Sequence, residues 1–245
     1  MLRNSALDRE MQINFTYVFD FEKNFVIQDR LSWLKNYWQI SFIVVIIYLL
    51  LIYAGERYMR SREAFVLRKP LIAWNLSLAL FSVAGTCRFL PEVIHVWTRY
   101  GYQYTVCNPS YFLDNPVIAS WVWFFLYSKL VELGDTIFII SRKQKLLFLH
   151  SYHHVTVLLY TWYSTQQEIS TARWFISMNF TVHSVMYSYY ALKAMKVFVP
   201  RPIAVTITSA QLLQMLVGLY ANLWAYGALM RGENCATNMD NIIKS

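Results

Sequence analysis

Charge is scarce in this chain of 245 residues: Asp, Glu, Lys and Arg together make up 15%, where about 25% is usual for a soluble domain. Hydrophobic residues reach 57%, and the mean hydropathy is +0.32. That composition excludes a soluble globular domain, and a disordered chain, which needs the opposite balance, is excluded with it. Glycine and proline are few, at 7 and 6, which rules out a collagen. Only 3 cysteines occur, too few for a disulfide scaffold, and none sits in a CxxC or other metal-ligand spacing. No internal repeat and no G-x-S-x-G elbow is present. The little charge there is leans one way, with 22 Lys and Arg against 14 Asp and Glu for a formal +8. A nucleic-acid partner is not the reading, because the basic residues sit in short stretches between long apolar runs, the pattern of membrane orientation.

The apolar runs cover residues 40–58, 70–88, 116–140, 146–164, 173–195 and 203–230. Each is at or near the roughly 20 residues of helix that cross a hydrocarbon core. Backbone groups in lipid must be satisfied within their own segment, and the period-2 alternation of a barrel is absent, so the runs are expected to be helices. The expected fold class is all-α, a polytopic membrane protein with a luminal N-terminal segment over 1–39, one transmembrane domain over 40–230 and a short luminal tail over 231–245. The first run is preceded by too much polar sequence, and followed by no small-residue cleavage site, to be a removable signal. Basic residues concentrate in the first connection (Arg57, Arg60, Arg62, Arg68, Lys69), the third (Arg142, Lys143, Lys145) and the fifth (Lys193, Lys196, Arg201). Those connections face the cytosol and the N-terminus faces the lumen. Glu168 and Arg173 flank the fourth connection, on the luminal side. The sequon at Asn14 is then luminal and a candidate glycosylation site. Cys107 and Cys235 are luminal too, where an oxidising compartment favours a disulfide between them; two free thiols are the alternative. Cys87 reads as a small buried apolar residue.

Ionisable groups are expensive inside a membrane and mark function or pairing. The third run carries Lys129, Glu132 and Asp135 close together, with Lys129 and Glu132 at a helical spacing that allows an ion pair and Thr136 beside them. The fourth opens on His150, His153 and His154, which share one helical face. Of 5 histidines in the chain, three therefore converge within about a turn of helix. The fifth run places Asn179, His183 and Tyr187 at successive turns, and the sixth spaces Thr208, Gln211 and Gln214 by three. Such groups also glue helices together, and tyrosines also line membrane interfaces. Four successive runs with polar stripes nevertheless describe the wall of an enclosed cavity, suited to a long apolar molecule with a polar reacting head.

An HxxHH cluster first points to iron, but a di-iron site needs more imidazole and carboxylate ligands than these stripes offer. No metal and no other cofactor is expected. A transporter or receptor would explain polar stripes but not the histidine cluster, and alternating-access folds often show the repeat that is missing here. Covalent catalysis remains, with an imidazole as nucleophile forming an acyl-enzyme.

The residues in combination resemble the fatty acid elongases of the endoplasmic reticulum. The matching stretches are KLVELGDT (129–136), LHSYHH (149–154), MNFTVHSVMYSYY (178–190) and T-x-x-Q-x-x-Q (208–214). The wording of RKPLIAW and FLHSYHHVTVLLYTWYS is most similar to the branch acting on saturated and monounsaturated acids of about sixteen carbons. The resemblance implies seven spans, six of them forming a barrel around a closed substrate tunnel. Six are evident here and the seventh is missing after Cys235, as in a truncated product whose tunnel would stand open to lipid on one side. It implies condensation of an acyl-CoA with malonyl-CoA to a 3-oxoacyl-CoA two carbons longer, releasing CO2 and CoA. Alternatives are an inactive or regulatory elongase-like protein, a transporter or a receptor. By the motif match, His153 is the nucleophile, His183 assists at the same carbon, and His150 and His154 orient or polarise around them. Asn179 and Tyr187 join the substrate contacts. Lys129, Glu132 and Asp135 serve the head-group region, Gln211 and Gln214 the thioester or CoA, and Arg142, Lys143 and Lys145 the CoA phosphates. Membrane lipid, the reductases and dehydratase of the cycle, and a homodimer complete the implied partners.

Overall fold

With no water to bond to in lipid, each apolar segment closes its backbone hydrogen bonds on itself, and in the computed structural model, which describes Ile13 and residues 15–238, every such run is helical over nearly all of its length. Asn14, the candidate glycosylation site, lies outside the described residues. The helices in chain order are α1 (Asp20–Lys23), α2 (Ile27–Tyr37), α3 (Ile40–Met59), α4 (Arg68–Cys107) and α5 (Ser110–Leu113). They continue with α6 (Pro116–Glu132), α7 (Gly134–Ser141), α8 (Phe148–Gln166), α9 (Ala172–Ala194) and α10 (Arg201–Met230). Among the described residues, four stretches are long and apolar enough to cross a membrane: α3, α4, α6 continued by α7, and α10. Helices α8 and α9 are 19 and 23 residues long, but the polar side chains they carry lower their hydropathy. The chain is thus all-α, with several long apolar helices of a polytopic membrane protein.

Local chemistry sets the boundaries. Asn115 caps α6, its side chain accepting from the backbone N–H groups of Val117 (3.0 Å) and Ile118 (3.3 Å), with Pro116 at the first helical position, where its missing N–H costs nothing. The second run was expected to end near residue 88 in a luminal loop; instead α4 continues to Cys107 and bends at Gly101, whose φ of +79° suits glycine. The extension is amphipathic: Phe89, Val93 and Val96 are buried at helical spacing, while Glu92, His95 and Arg99 dilute its hydropathy. Arg173, expected beside a luminal loop, is fully buried on α9. It lies 3.4 Å from Glu92, donates to the Thr105 carbonyl at 3.1 Å and stacks on Tyr111.

Helix α4 packs along α9, α9 also meets α10, α6 meets α8 and α4, and α3 rests on α7 and α8. Apolar burial does not drive such association in lipid, so close backbone approach and polar contacts carry it. Phe180 of α9 occupies the space that a Cβ on Gly85 of α4 would need. Cys87, two residues on, points the other way and is exposed, which corrects its expected burial. The N-terminal segment is docked as well: Glu22, fully buried, accepts from Arg88 Nε (2.8 Å), Arg88 Nη2 (2.7 Å) and Trp121 Nε1 (2.7 Å). At the same end, a disulfide joins Cys107 to Cys235 across 128 residues, and Ala236 bridges the Cys107 carbonyl and the Ser170 N–H.

Candidate functional site

The site is assembled around the junction of α6 and α7. The ring of Trp74 from α4 lies where a Cβ on Gly134 would be, so glycine here lets α4 approach the junction. That approach aims the Trp74 indole N–H at Asp135 Oδ1 (2.6 Å), and the Tyr187 hydroxyl donates to Asp135 Oδ2 (2.8 Å). Asp135 and Tyr187, both expected to meet substrate, are therefore spent on each other and on Trp74, tying together α4, α7 and α9.

One turn back, Lys129 and Glu132 are buried, at 3% and 4% exposure. Lys129 Nζ donates to Glu132 Oε1 (2.7 Å) and Oε2 (3.0 Å), and to Asn179 Oδ1 on α9 (2.7 Å); Ser128 adds a hydroxyl to Glu132 at 3.1 Å. The third donor bond decides the orientation of the next two groups. An ammonium only donates, so the Asn179 oxygen faces it and the amide nitrogen turns to His183 Nε2 at 3.1 Å. His183 Nε2 is then the acceptor, and its proton sits on Nδ1, which lies 3.7 Å from Glu132 Oε1. Lys129, Glu132, Asn179 and His183 form one continuous polar hub between α6 and α9.

Helix α8 brings the other imidazoles. His150 Nε2 is 3.0 Å from Thr136 Oγ1, which is 2.8 Å from the Tyr48 hydroxyl of α3. The rings of His150 and His154 are 4.4 Å apart and those of His153 and His154 are 5.6 Å apart. The three do share a face, but their surroundings differ: His154 is buried, His150 is tied to the α7 side, and His153 lines a cavity. Among the described residues, no three His, Cys, Asp or Glu side chains come together as a metal-ligand set.

The cavity has a volume of about 390 Å³ and runs between α8, α9 and α10 against Phe125 of α6, with His153, Asn179 and Gln214 on its wall. Its size and largely apolar wall with a few polar groups are those of a small-molecule site. Gln211 is turned instead to the Met186 sulfur at 3.0 Å. Arg142, Lys143 and Lys145 stand on the α7–α8 connection, outside the cavity wall, with Lys143 reaching the Arg60 carbonyl at 3.5 Å. Sequence reasoning missed Ser128, one turn before Glu132 and detectable by that spacing; it also missed Trp74 and Tyr48, whose partners are too distant in the chain to be signalled.

Comparison with known proteins bears on this geometry. The model of the ELO, GNS1/SUR4, family matches residues 33–245. The chain is 51% identical over 223 residues to "Very long chain fatty acid elongase 6" of Drosophila melanogaster, across 91% of this chain and 71% of that protein. It is 44% identical over 227 residues to the Gallus gallus protein of that name, across 93% and 85%, and 42% identical to the Homo sapiens one over the same spans.

Proposed function

Because the chain belongs to the ELO (GNS1/SUR4) family, and is thereby a condensing enzyme of fatty acid elongation and a multi-pass protein of the endoplasmic reticulum membrane, we propose that its chemistry runs through an acyl group carried on His153. The observation that supports this is the division of labour among the histidines. His183 is held by Asn179, His150 by Thr136 and His154 is buried, whereas His153 opens onto the apolar cavity.

In the first half-reaction the His153 imidazole bonds to the thioester carbonyl carbon, the carbon–sulfur bond breaks, and CoA leaves, taking the imidazole proton onto its sulfur. In the second, malonyl-CoA loses CO2 and the electron pair left on its α-carbon attacks the acyl-imidazole. A carbon–carbon bond forms, the bond to His153 breaks, the freed imidazole nitrogen takes up a proton from solvent, and a 3-oxoacyl-CoA two carbons longer departs. Fixed donors must stabilise the oxyanion and enolate charges as they develop. Asn179 and Gln214, both on the cavity wall, are suited to that, with the Lys129–Glu132–His183 hub directly behind Asn179. The acyl tail follows the apolar wall between α8, α9 and α10, and the helices from α4 to α10 form the sides of its tunnel. Substrates are long-chain acyl-CoAs of the saturated and monounsaturated class, entering with malonyl-CoA from the cytosolic side. Reductases and a dehydratase of the cycle take the product onward. Arg142, Lys143 and Lys145, basic and near that entrance, suit the CoA phosphates. The 1–39 segment and the Cys107–Cys235 disulfide lie on the luminal side.

Intact-protein mass spectrometry after incubation with acyl-CoA alone tests the proposal. The protein gains one acyl mass and releases one CoA, and His153→Ala abolishes both while still inserting and folding. Unchanged acylation of the His153→Ala protein would refute the assignment.

A further inference from the structure

The cavity does not end near His153. Tyr160, seven residues further along α8 and so about 10 Å of helix rise away, also lines it, as does Phe175, one turn before Asn179 on α9. The two rings meet edge-on across the space, centroids 5.7 Å apart, and the cavity continues beyond them to Thr165 and Ala172. Phe175 is held back from the cavity by a notch in α10. A Cβ on Gly218 would fall on the Phe175 ring, at its Cε1, Cζ and Cδ1 atoms, and Gly218 is buried there. Gly218 lies within α10 and has no positive φ, so its backbone does not require glycine. Glycine within a helix is unfavourable relative to alanine; the contact with Phe175 is what the missing Cβ provides.

We infer that Gly218 seats the Phe175 ring against α10 and thereby sets how far the Phe175–Tyr160 pair intrudes on the cavity, which determines how long an acyl chain the cavity admits. The inference rests on the acyl-carrying role of His153 and adds the residues that select the chain. Chains too short to reach the aromatic pair are indifferent to it; longer ones must pass alongside it toward Thr165 and Ala172. A Cβ at Gly218 displaces Phe175 off α10 and into the cavity, narrowing the way past the pair.

The test is acylation of the membrane-expressed protein by saturated acyl-CoAs of twelve to twenty carbons, read by intact mass as the ratio of the longest to the shortest chains accepted. Gly218→Ala is expected to lower that ratio by about tenfold or more, the scale of discrimination by small steric changes in an apolar site. Gly218→Ala combined with Phe175→Leu, which removes ring bulk to make room for the new methyl, is expected to restore it. An unchanged ratio in Gly218→Ala, or a uniform loss that Phe175→Leu does not correct, overturns the inference and leaves the His153 reading standing. No acylation of the unsubstituted protein by any chain overturns that reading, and this inference with it.

Discussion

Replacing Lys129 with Met removes one ammonium from the buried hub while keeping most of the stem that packs on Phe125, whose ring lies 4.4 Å from Nζ. Glu132 then loses contacts of 2.7 and 3.0 Å and retains Ser128 at 3.1 Å, with His183 Nδ1 no nearer than 3.7 Å. Breaking a buried pair by deleting one partner costs about 3–5 kcal/mol, because an uncompensated charge stays inside. At roughly 2–4 °C per kcal/mol for a chain of this size, the midpoint of thermal unfolding in detergent is expected to fall by at least about 6 °C. The double variant Lys129→Met with Glu132→Leu removes both charges and should recover most of that loss, short of about 1–3 kcal/mol for the Asn179 oxygen left without its donor. Activity separates from stability here. With Lys129 gone nothing fixes which end of the Asn179 amide faces His183, so acylation at His153 stays depressed in the double variant even where stability returns. A single variant melting within about 1 °C of the parent, or a double no more stable than the single, would refute the reasoning.

Three further outcomes follow from other contacts. Gly134→Ala should displace the Trp74 ring, weaken its 2.6 Å bond to Asp135 and destabilise the protein by about 1–3 kcal/mol, measurable as a lowered unfolding midpoint. Arg88→Met should leave Glu22 buried without its cation, with the Trp121 indole and the local Phe19 backbone N–H as donors, and free the N-terminal segment, seen as new protease cleavage over residues 20–37 while the rest of the chain stays protected. Reducing the Cys107–Cys235 bond, or Cys107→Ser, should cost on the order of 2–4 kcal/mol; reductant should lower the midpoint of the parent and leave that of the serine variant unmoved.

The apolar runs were legible because hydropathy reports what lipid demands of a backbone, and the helices begin and end close to where the runs do. The second half of α4 was not, since Glu92 and Arg99 mask an amphipathic stripe whose charged member is neutralised by Arg173, 81 positions away. The HxxHH face was legible from helical spacing alone. Which imidazole meets the cavity was not, because the rotation of α8 about its axis is set by what it packs on, including Thr136 and Tyr48. Asp135 shows the same limit in reverse. A carboxylate in an apolar run reads as a ligand for substrate, yet both its oxygens are taken by donors from helices that spacing could not bring to it.

That distribution of polar contacts explains how the protein can hold charged groups in an apolar interior. A lone lysine or glutamate at this depth would be costly, and the Lys129–Glu132 pair is tolerable only because Ser128 and Asn179 take up further bonds. The same bonds carry information outward: the ammonium orients the Asn179 amide, the amide sets the His183 tautomer, and Asn179 lines the cavity that His153 also lines. None of these links requires the hub to touch the acyl chain. Lys129, Glu132 and His183 therefore act as a positioning frame behind Asn179, and conservative changes in the hub should alter the rate at His153 without shifting which chain lengths are taken. Asn179→Asp puts this to a direct test, since a carboxylate keeps the bond to Lys129 but has no N–H for His183 Nε2. Acylation should fall while the ratio of long to short chains accepted stays as in the parent; a change in that ratio would show that the frame and the chain-selecting end of the cavity are not separate.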